Sequence, residues 1–293
     1  MKIGALEAGG TKMVCAIGNE DGIIIKREVF PTQTPDITMP FLIDFFMNEG
    51  IDALGIGCFG PIDPNKNSVT YGYITSTPKL PWKNYNIVKT FSDAFKIPIG
   101  FDTDVNAAAL GEAAWGALKD CEVGIYITIG TGVGVGVCVN GKPLNGLIHP
   151  EAGHILIRKI ENDGYKGKCP YHSDCFEGLA SGPAIEGRWG KKAYELKDVA
   201  EVWDLEAHYI AQALANYILC YSPNRIVLGG GVMHQEQLFS LIRKKVPEYL
   251  GGYVSSDSIN KNIDEYIVPT GLGDDSGIKG AIRLGYMAYH NMI

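Results

Sequence analysis

One pattern occurs twice in this sequence, at an offset of 121 positions: an apolar stretch, a turn of small residues and a second apolar stretch. The first copy includes residues 5–11 (ALEAGGT) and the second includes residues 126–132 (YITIGTG), and Asn19 falls on Asn140 where the pattern ends. Period-two apolar patterning interrupted by Gly and Asn turns predicts β-strands joined by tight turns. We interpret the repeat as a duplication, so the chain should contain two related halves.

Strand patterns alternate with helix patterns through both halves, which predicts α/β layers. The predicted strands are 3–8, 13–18, 23–29, 53–58, 97–102, 225–228 and 265–268, and the predicted helices are 36–49, 86–95, 104–118, 198–220, 234–246 and a last one from about 276. A length of 293 residues suits two domains. We expect an N-terminal α/β domain of residues 1–117, with a C-terminal helix at about 278–293 packed on it, and a larger domain of residues 118–277. Small-molecule ligands would then bind in the interdomain cleft.

Composition excludes several classes of protein. The net charge of −7 and the pI near 5.4 give no basic surface for a nucleic acid. Glu7 interrupts the apolar run that a signal peptide needs, and the uncharged stretch 123–141 contains six glycines, which favours strands over a membrane helix. The seven cysteines are an odd number and mostly lie in or beside apolar segments, so a disulfide framework is not expected. We expect a cytoplasmic protein without nucleic-acid or membrane partners.

Both copies of the repeat have a glycine-rich turn that could bind phosphate. These turns are Gly9-Gly10-Thr11-Lys12 and Gly130-Thr131-Gly132. Without Cβ atoms, backbone N–H groups can approach an anion closely, and a nearby hydroxyl or ammonium group adds further donors. The alternative is that both are only tight hairpin turns. Neither matches the Walker or dinucleotide-binding spacing, so those two nucleotide folds are excluded.

A second candidate site is Asp102-Thr103-Asp104, which joins a predicted strand to an Ala-rich helix. An acid at such a position is commonly only the N-cap of the helix. The carboxyl end of a strand in an α/β sheet is, however, where ligands bind, and a carboxylate there can accept a proton from an attacking hydroxyl. We predict that Asp104 is the general base and that Asp102 caps the helix or orients its neighbours.

A third candidate site is a His- and Cys-bearing loop. Its Cys-x2-His-x2-Cys motif (Cys169, His172, Cys175) follows His154 by fifteen positions. Two thiolates and two imidazoles form the ligand set of a closed tetrahedral zinc site, which leaves no open position and is therefore structural. The alternative, unrelated loop residues, is less favoured because a polar loop with little core gains order from a metal.

Two acidic residues, Glu151 and Glu177, lie on either side of this loop. Carboxylates accept paired hydrogen bonds from vicinal hydroxyls, so these residues could bind a polyol. The alternative for each is an exposed Glu without a role. Their proximity to the metal loop favours a functional role.

With these motifs the sequence resembles the ROK-family sugar kinases, which have a duplicated actin-like ATPase (ribonuclease H-like) fold, and within that family it is most similar to bacterial zinc-containing fructokinases. The resemblance covers essentially the whole chain through residues 7–12 (EAGGTK), 128–133 (TIGTGV) and 226–231 (IVLGGG). It implies that the nucleotide contacts Gly9, Gly10, Thr11, Lys12, Thr131, Gly132, Gly229, Gly230 and Gly231. It further implies that Asp104 is catalytic and that the sugar contacts Thr103, Asp104, Glu151, His154 and Glu177, with His154 binding zinc through its other ring nitrogen.

The chain departs from the family pattern at three places. Glu7 stands where the family usually has Asp, Thr103 stands where glucokinase-like members have Asn, and Cys-x2-His-x2-Cys replaces a three-cysteine zinc loop. The last two departures resemble the fructokinase branch. The resemblance therefore implies ATP-dependent phosphorylation of the 6-hydroxyl of fructose by a homodimer that uses Mg²⁺ and structural Zn²⁺.

Two alternatives remain at the level of the sequence. One is a kinase for another hexose or acylamino sugar, such as glucose, mannose or N-acetylmannosamine. The other is a sugar-responsive transcriptional regulator of the same family. We disfavour the regulator because no helix-turn-helix precedes the first predicted strand, which begins at residue 3.

Overall fold

The computed structural model describes residues 1–293, which form twelve β-strands, ten α-helices and five short 3-10 turns. The strands are β1 (Ile3–Ala8), β2 (Lys12–Gly18), β3 (Ile24–Pro31), β4 (Ala53–Cys58), β5 (Tyr73–Ile74), β6 (Tyr85–Asn86), β7 (Ile99–Thr103), β8 (Val123–Ile129), β9 (Val133–Val139), β10 (Lys142–Pro143), β11 (Arg225–Gly229) and β12 (Ile267–Pro269). The helices are α1 (Pro35–Met47), α2 (Ile87–Phe95), α3 (Asp104–Trp115), α4 (Phe176–Ala180), α5 (Gly182–Trp189), α6 (Ala200–Tyr221), α7 (Gln237–Leu250), α8 (Asp257–Asn260), α9 (Ile263–Tyr266) and α10 (Ser276–Tyr289). The 3-10 turns are Leu80–Trp82, Ala152–His154, Ala193–Leu196, Gly231–His234 and Gly273–Asp275.

Two five-stranded sheets share one strand order. The first is ordered β3-β2-β1-β4-β7 and the second β10-β9-β8-β11-β12. When the strands of each sheet are numbered 1 to 5 along the chain, both sheets have the order 3-2-1-4-5. In the first sheet β1 pairs antiparallel with β2 and parallel with β4, and β4 pairs parallel with β7. In the second sheet β8 pairs parallel with β11, and β11 with β12. The shared order confirms the predicted duplication.

The chain divides into two units. The first comprises residues 1–120, 136–150 and 271–293, and the second comprises residues 121–135 and 151–270. Apolar residues cover both faces of the first sheet, as a sheet between two helical layers requires. One face packs with α1 and α2 around Leu42, Phe46 and Phe91, and the other packs with α10 through Ile278 and Ile282.

Small residues in β4 allow α10 to approach the first sheet closely. A Cβ atom on Gly55 would overlap the carbonyl oxygen of Ala281 in α10. Such close backbone contact excludes any larger residue at this position. The Gly alternation in β4 (ALGIGC) is thus a packing requirement of two helices, because a Cβ on Gly57 would lie 2.8 Å from the Cβ of Ala107 in α3.

Most predicted elements are present, and some of them end at other residues than predicted. Helix α3 ends at Trp115 rather than at residue 118, because the Glu112 side chain accepts the Ala117 N–H (2.7 Å) and terminates the helix. Helix α7 begins at Gln237 rather than at residue 234, because residues 231–234 form a 3-10 turn. No helix combines the length and the apolar character needed to cross a membrane.

Candidate functional site

The first glycine-rich turn joins β1 to β2 and is held from both sides. The Gly9 N–H donates to the Lys12 carbonyl across the turn (3.0 Å). Thr32, which follows β3, donates its hydroxyl to the Gly9 carbonyl (2.8 Å) and its N–H to the Thr11 carbonyl (3.0 Å). The turn is therefore fixed through its carbonyl groups, while the Lys12 side chain is exposed.

Two acidic side chains of the first unit, Glu7 and Asp104, have pKa values raised to near neutrality. Burial raises the pKa of Asp104 to about 6, against the opposing effect of the Val105 N–H, which donates to its Oδ1 (2.9 Å). Burial, and then the charge of Asp104, raise the pKa of Glu7 to about 7, although Lys12 and Arg27 act in the opposite direction. Carboxylates whose pKa lies near neutrality are suited to take up and release a proton in catalysis.

The sequence left two roles open for Asp102, capping α3 or orienting its neighbours, and the structure distinguishes them. Thr103 is the N-cap of α3, because its Oγ1 accepts the Asn106 N–H (3.1 Å). Asp102 does not cap the helix. It is fully buried and accepts hydrogen bonds from Asn106 Nδ2 (2.7 Å), Asn145 Nδ2 (2.8 Å) and the Thr103 N–H (2.8 Å). Burial raises its pKa, and these donors oppose that rise. Asp102 therefore orients its neighbours.

The second glycine-rich turn joins β8 to β9 and lies beside the glycines that end β11. The Gly130 N–H donates to the Gly132 carbonyl (2.9 Å), and the Gly182 N–H at the start of α5 donates to the Gly130 carbonyl (2.8 Å). Gly230 has a positive φ of 88°, and a Cβ on it would lie 2.6 Å from the Ile129 nitrogen. The structure thus brings two of the predicted nucleotide-binding segments, residues 130–132 and 229–231, together within the second unit.

Glu177 links the second turn to the His- and Cys-bearing loop. Its Oε2 accepts the Val133 N–H (3.0 Å), and its Oε1 lies 4.0 Å from His154 Nδ1. A Cβ on Gly132 would lie 2.6 Å from the same Oε2, so a larger residue here would displace this carboxylate. The predicted sugar-binding Glu177 is therefore also part of the predicted phosphate turn. Glu151 is exposed at the start of the 3-10 turn that carries His154.

The four predicted metal ligands form one cluster. Their ligand atoms all lie within 4.8 Å of one another. His154 Nδ1 is 3.6 Å from Cys169 Sγ and 3.5 Å from Cys175 Sγ, and His172 Nδ1 is 3.8 Å from Cys169 Sγ. A tetrahedral zinc ion with Zn–S of about 2.3 Å and Zn–N of about 2.1 Å separates a sulfur ligand from a nitrogen ligand by about 3.6 Å. The residues therefore fit zinc in both number and spacing.

The backbone of this loop is folded tightly around the cluster. Cys169 and Ser173 exchange two backbone hydrogen bonds (3.0 and 3.2 Å), and Phe176 N–H donates to the Ile155 carbonyl (2.9 Å). Gly178 is required next to Cys169, because a Cβ on it would overlap the Ser173 carbonyl oxygen. Burial raises the pKa of Cys175 to about 11, so metal binding at neutral pH must release the thiol proton.

Some of these contacts had no sequence signal. Asn145 follows β10 in a loop, and nothing in its neighbourhood predicts that it binds Asp102. Asn106 had a weak signal, as a buried polar residue in an Ala-rich helix. The hydrogen bond between Glu177 and Val133 joins residues 44 positions apart, a separation that no local pattern encodes.

Known proteins resemble this chain along nearly its whole length. A sequence profile of the ROK family matches residues 3–286. A Bacillus subtilis (strain 168) protein provisionally named a fructokinase is 55% identical over 286 residues, which cover 98% of this chain and 96% of that protein. A protein of Pediococcus pentosaceus named fructokinase is 45% identical over 291 residues, covering 99% of this chain and all of that protein.

Among solved structures, a ROK hexokinase from Thermus thermophilus superimposes with a TM-score of 0.82. It is 25% identical, and the match covers 99% of this chain and 100% of that one. The predicted actin-like ATPase fold is thereby confirmed.

Proposed function

The chain belongs to the ROK family, and we propose that it transfers the terminal phosphate of ATP to the 6-hydroxyl of D-fructose. The observation that carries this proposal is the Asp104 carboxylate, held at the start of α3 with its pKa raised to about 6. The full-length similarity to proteins named fructokinase supports the choice of acceptor.

The residues divide the reaction between them. Asp104 accepts the proton of the 6-hydroxyl as its oxygen attacks the terminal phosphorus, and the bond to the leaving ADP oxygen breaks. Phosphoryl transfer needs mainly positioning and neutralisation of charge. The amide groups of the two glycine-rich turns and the Lys12 ammonium group supply both, and Gly229, Gly230 and Gly231 accommodate the adenosine. Mg²⁺ bound with ATP supplies further positive charge at the phosphates.

Sugar recognition falls to Thr103, Glu151, His154 and Glu177. Thr103 Oγ1 already accepts the Asn106 N–H, so toward a ligand it donates its O–H. An Asn at this position offers both a donor and an acceptor, and a site that leaves buried sugar hydroxyls unpaired loses affinity. We therefore infer that aldopyranoses bind less well than fructose.

Zinc in the four-residue cluster gives this sugar-binding segment its order. His154 Nδ1 faces the two thiols, which leaves Nε2 for a sugar hydroxyl. With Cys169, His172 and Cys175 completing the shell, the ion has no open position and does not take part in the chemistry. Its contribution is to hold His154 and, two residues after Cys175, Glu177.

The proposal includes a cytoplasmic location and a homodimer. Reduced thiols at Cys169 and Cys175 and a supply of ATP both favour the cytoplasm. Light scattering of the purified protein measures the dimer, which the resemblance to this family implies.

The test is ADP release over a panel of fructose, glucose, mannose and N-acetylmannosamine, with kcat/KM determined for each sugar. We expect fructose to give the highest value. A tenfold preference for any other sugar would replace fructose as the substrate while leaving the kinase assignment in place. Absence of sugar-dependent ADP release in zinc- and magnesium-replete protein would refute the kinase assignment itself.

A further inference from the structure

Lys79 lies over the first glycine-rich turn, although it is 69 positions away in sequence. Its Cε is 3.2 Å and its Nζ 3.9 Å from the position that a Cβ on Gly10 would occupy. A side chain at residue 10 would therefore compete with Lys79 for space. The lysine is exposed, so its ammonium group is also accessible to a ligand at the turn.

The backbone that carries Lys79 is fixed by its neighbours. Thr77 is 3% exposed, and its Oγ1 accepts the Lys79 N–H (3.2 Å). Trp82, in the 3-10 turn that follows, is 1% exposed and donates its indole N–H to the Gln33 carbonyl (2.7 Å). Pro78 and Pro81 further restrict the segment. The position of Lys79 above the turn thus follows from buried anchors on both sides.

Two positive charges at this turn form no ion pair. Neither Lys12 nor Lys79 has a carboxylate within ion-pair distance. Elsewhere in the first unit, exposed lysines such as Lys26 and Lys89 do pair with acids, at 2.7 and 2.6 Å. Lys12 also acts electrostatically on Glu7, but two ammonium groups without an ion pair beside one glycine-rich turn still form an electrostatic complement to a polyphosphate.

We propose that Lys79 is a second phosphate-binding lysine, which donates to an oxygen of the terminal phosphate during its transfer. The inference rests on the proposed function. The lysine keeps its protons throughout: the bond from phosphorus to the ADP oxygen breaks, the bond to the sugar oxygen forms, and the hydroxyl proton goes to Asp104. Lys79 stabilises the negative charge on the transferred group.

The test compares Lys79→Met with Lys79→Arg and with Lys83→Met. The last variant is a matched control, because it removes the same charge from an exposed lysine of the same segment. Loss of one donor to a developing charge typically costs about 10²–10³ in rate, so we expect Lys79→Met to lower kcat about 10²-fold. Lys79→Arg should keep most of the activity, and Lys83→Met should behave as the wild type.

Calorimetry with nucleotides separates this role from a structural one. Lys79→Met should weaken binding of a non-hydrolysable ATP analogue, which has the terminal phosphate, while leaving the affinity for ADP unchanged. Equal loss of both nucleotides, wild-type kcat, or a kcat no lower than that of Lys83→Met would overturn the inference. Should Lys79→Met fail to fold, Lys79→Gln carries the same comparison. A wild-type protein inactive on every sugar would instead refute the proposed function.

Discussion

Asp104→Asn should nearly abolish phosphorylation while leaving the protein folded. Removing a general base costs about 10²–10⁴ in rate. Asp104 Oδ1 accepts the Val105 N–H (2.9 Å), and the amide oxygen of Asn can accept the same bond. The N-cap of α3 is Thr103, so helix capping is unaffected. Burial disfavours the charged form of Asp104, so the neutral Asn should leave the free energy of unfolding at neutral pH unchanged or higher.

Asp102→Asn is the matched control two positions away. It should lower mainly the stability of the protein, whereas Asp104→Asn should lower mainly its activity. Asp102 accepts hydrogen bonds from three N–H donors through its two carboxylate oxygens, and an Asn side chain keeps only one of those oxygens. The NH2 group of the introduced Asn would face one of the three N–H donors, which would then lack an acceptor. A buried donor without a partner costs about 1–3 kcal/mol. This variant should lose stability first and activity second.

The assay pairs fructose-dependent ADP release with urea unfolding for both variants, and adds calorimetry with ATP analogues for Asp104→Asn. Wild-type turnover in folded Asp104→Asn would remove Asp104 from the mechanism. A large rate loss in Asp102→Asn at unchanged stability would assign the base to Asp102 instead and would refute the division of roles argued from their hydrogen bonds.

Three further predictions concern pH, zinc and a buried acid. Because burial raises the pKa of Asp104 to about 6 and the base must be ionised, kcat/KM should fall tenfold per pH unit below about pH 6 and level off above it; a pH profile that stays flat to pH 5 would contradict this. Elemental analysis should find one zinc per chain, and His172→Ala or chelation should weaken sugar binding without global unfolding; unchanged sugar affinity after verified zinc removal would argue against the role of the ion. Glu112 is fully buried and accepts from the Ala117, Gly271 and Leu272 N–H groups and from the Ser276 hydroxyl (2.7–3.1 Å). The amide of Glu112→Gln can face the Ser276 hydroxyl, which can accept, but it leaves the Leu272 N–H unpaired, so we expect a loss of about 1–3 kcal/mol in urea unfolding. An unchanged midpoint would show that the site repacks.

The parts of the fold that could be predicted are those whose information is local. Strands β1 and β4 were predicted to the residue, because the period-two pattern of β1 ends at the Gly9-Gly10 turn and the apolar run of β4 ends just before Gly60-Pro61. The end of α3 could not be predicted, since it depends on Glu112 binding backbone groups more than 150 positions away. The ribbon of β5 and β6 was missed because each strand has only two residues.

The candidate site shows the same division. The metal cluster could be predicted because three of its four ligands lie within seven residues and have a characteristic spacing. Lys79 could not, because its proximity to Gly10 arises only once Trp82 is buried and bonded to Gln33. A residue whose role depends on where an irregular loop crosses a distant turn has no periodicity for a sequence to reveal.

The two glycine-rich turns occupy equivalent positions in the duplicated fold but differ in their charged residues. At the offset of 121 positions Glu7 corresponds to Thr128, and each lies in the first strand of its sheet just before the turn. In the parallel registers Glu7 pairs with Gly57 of β4, and Thr128 pairs with Gly229 of β11. Both copies thus have a glycine on the neighbouring parallel strand, next to the end of the first strand. A Cβ on Gly57 would lie 2.8 Å from Ala107, and a Cβ on Gly229 would lie 2.7 Å from Thr270.

What differs is the charge placed in that shared position. The first copy has Glu7, with its pKa raised to about 7, and the turn lysine Lys12. The second copy has no charged residue in 128–133, and its turn is instead braced by Glu177 through the Val133 N–H. Phosphoryl transfer needs charged side chains at the phosphate whose bonds form and break. The other phosphates of the nucleotide can be bound by backbone N–H groups. The charged copy is therefore the one suited to the reacting phosphate, and the neutral copy is suited to hold the part of the nucleotide that does not react.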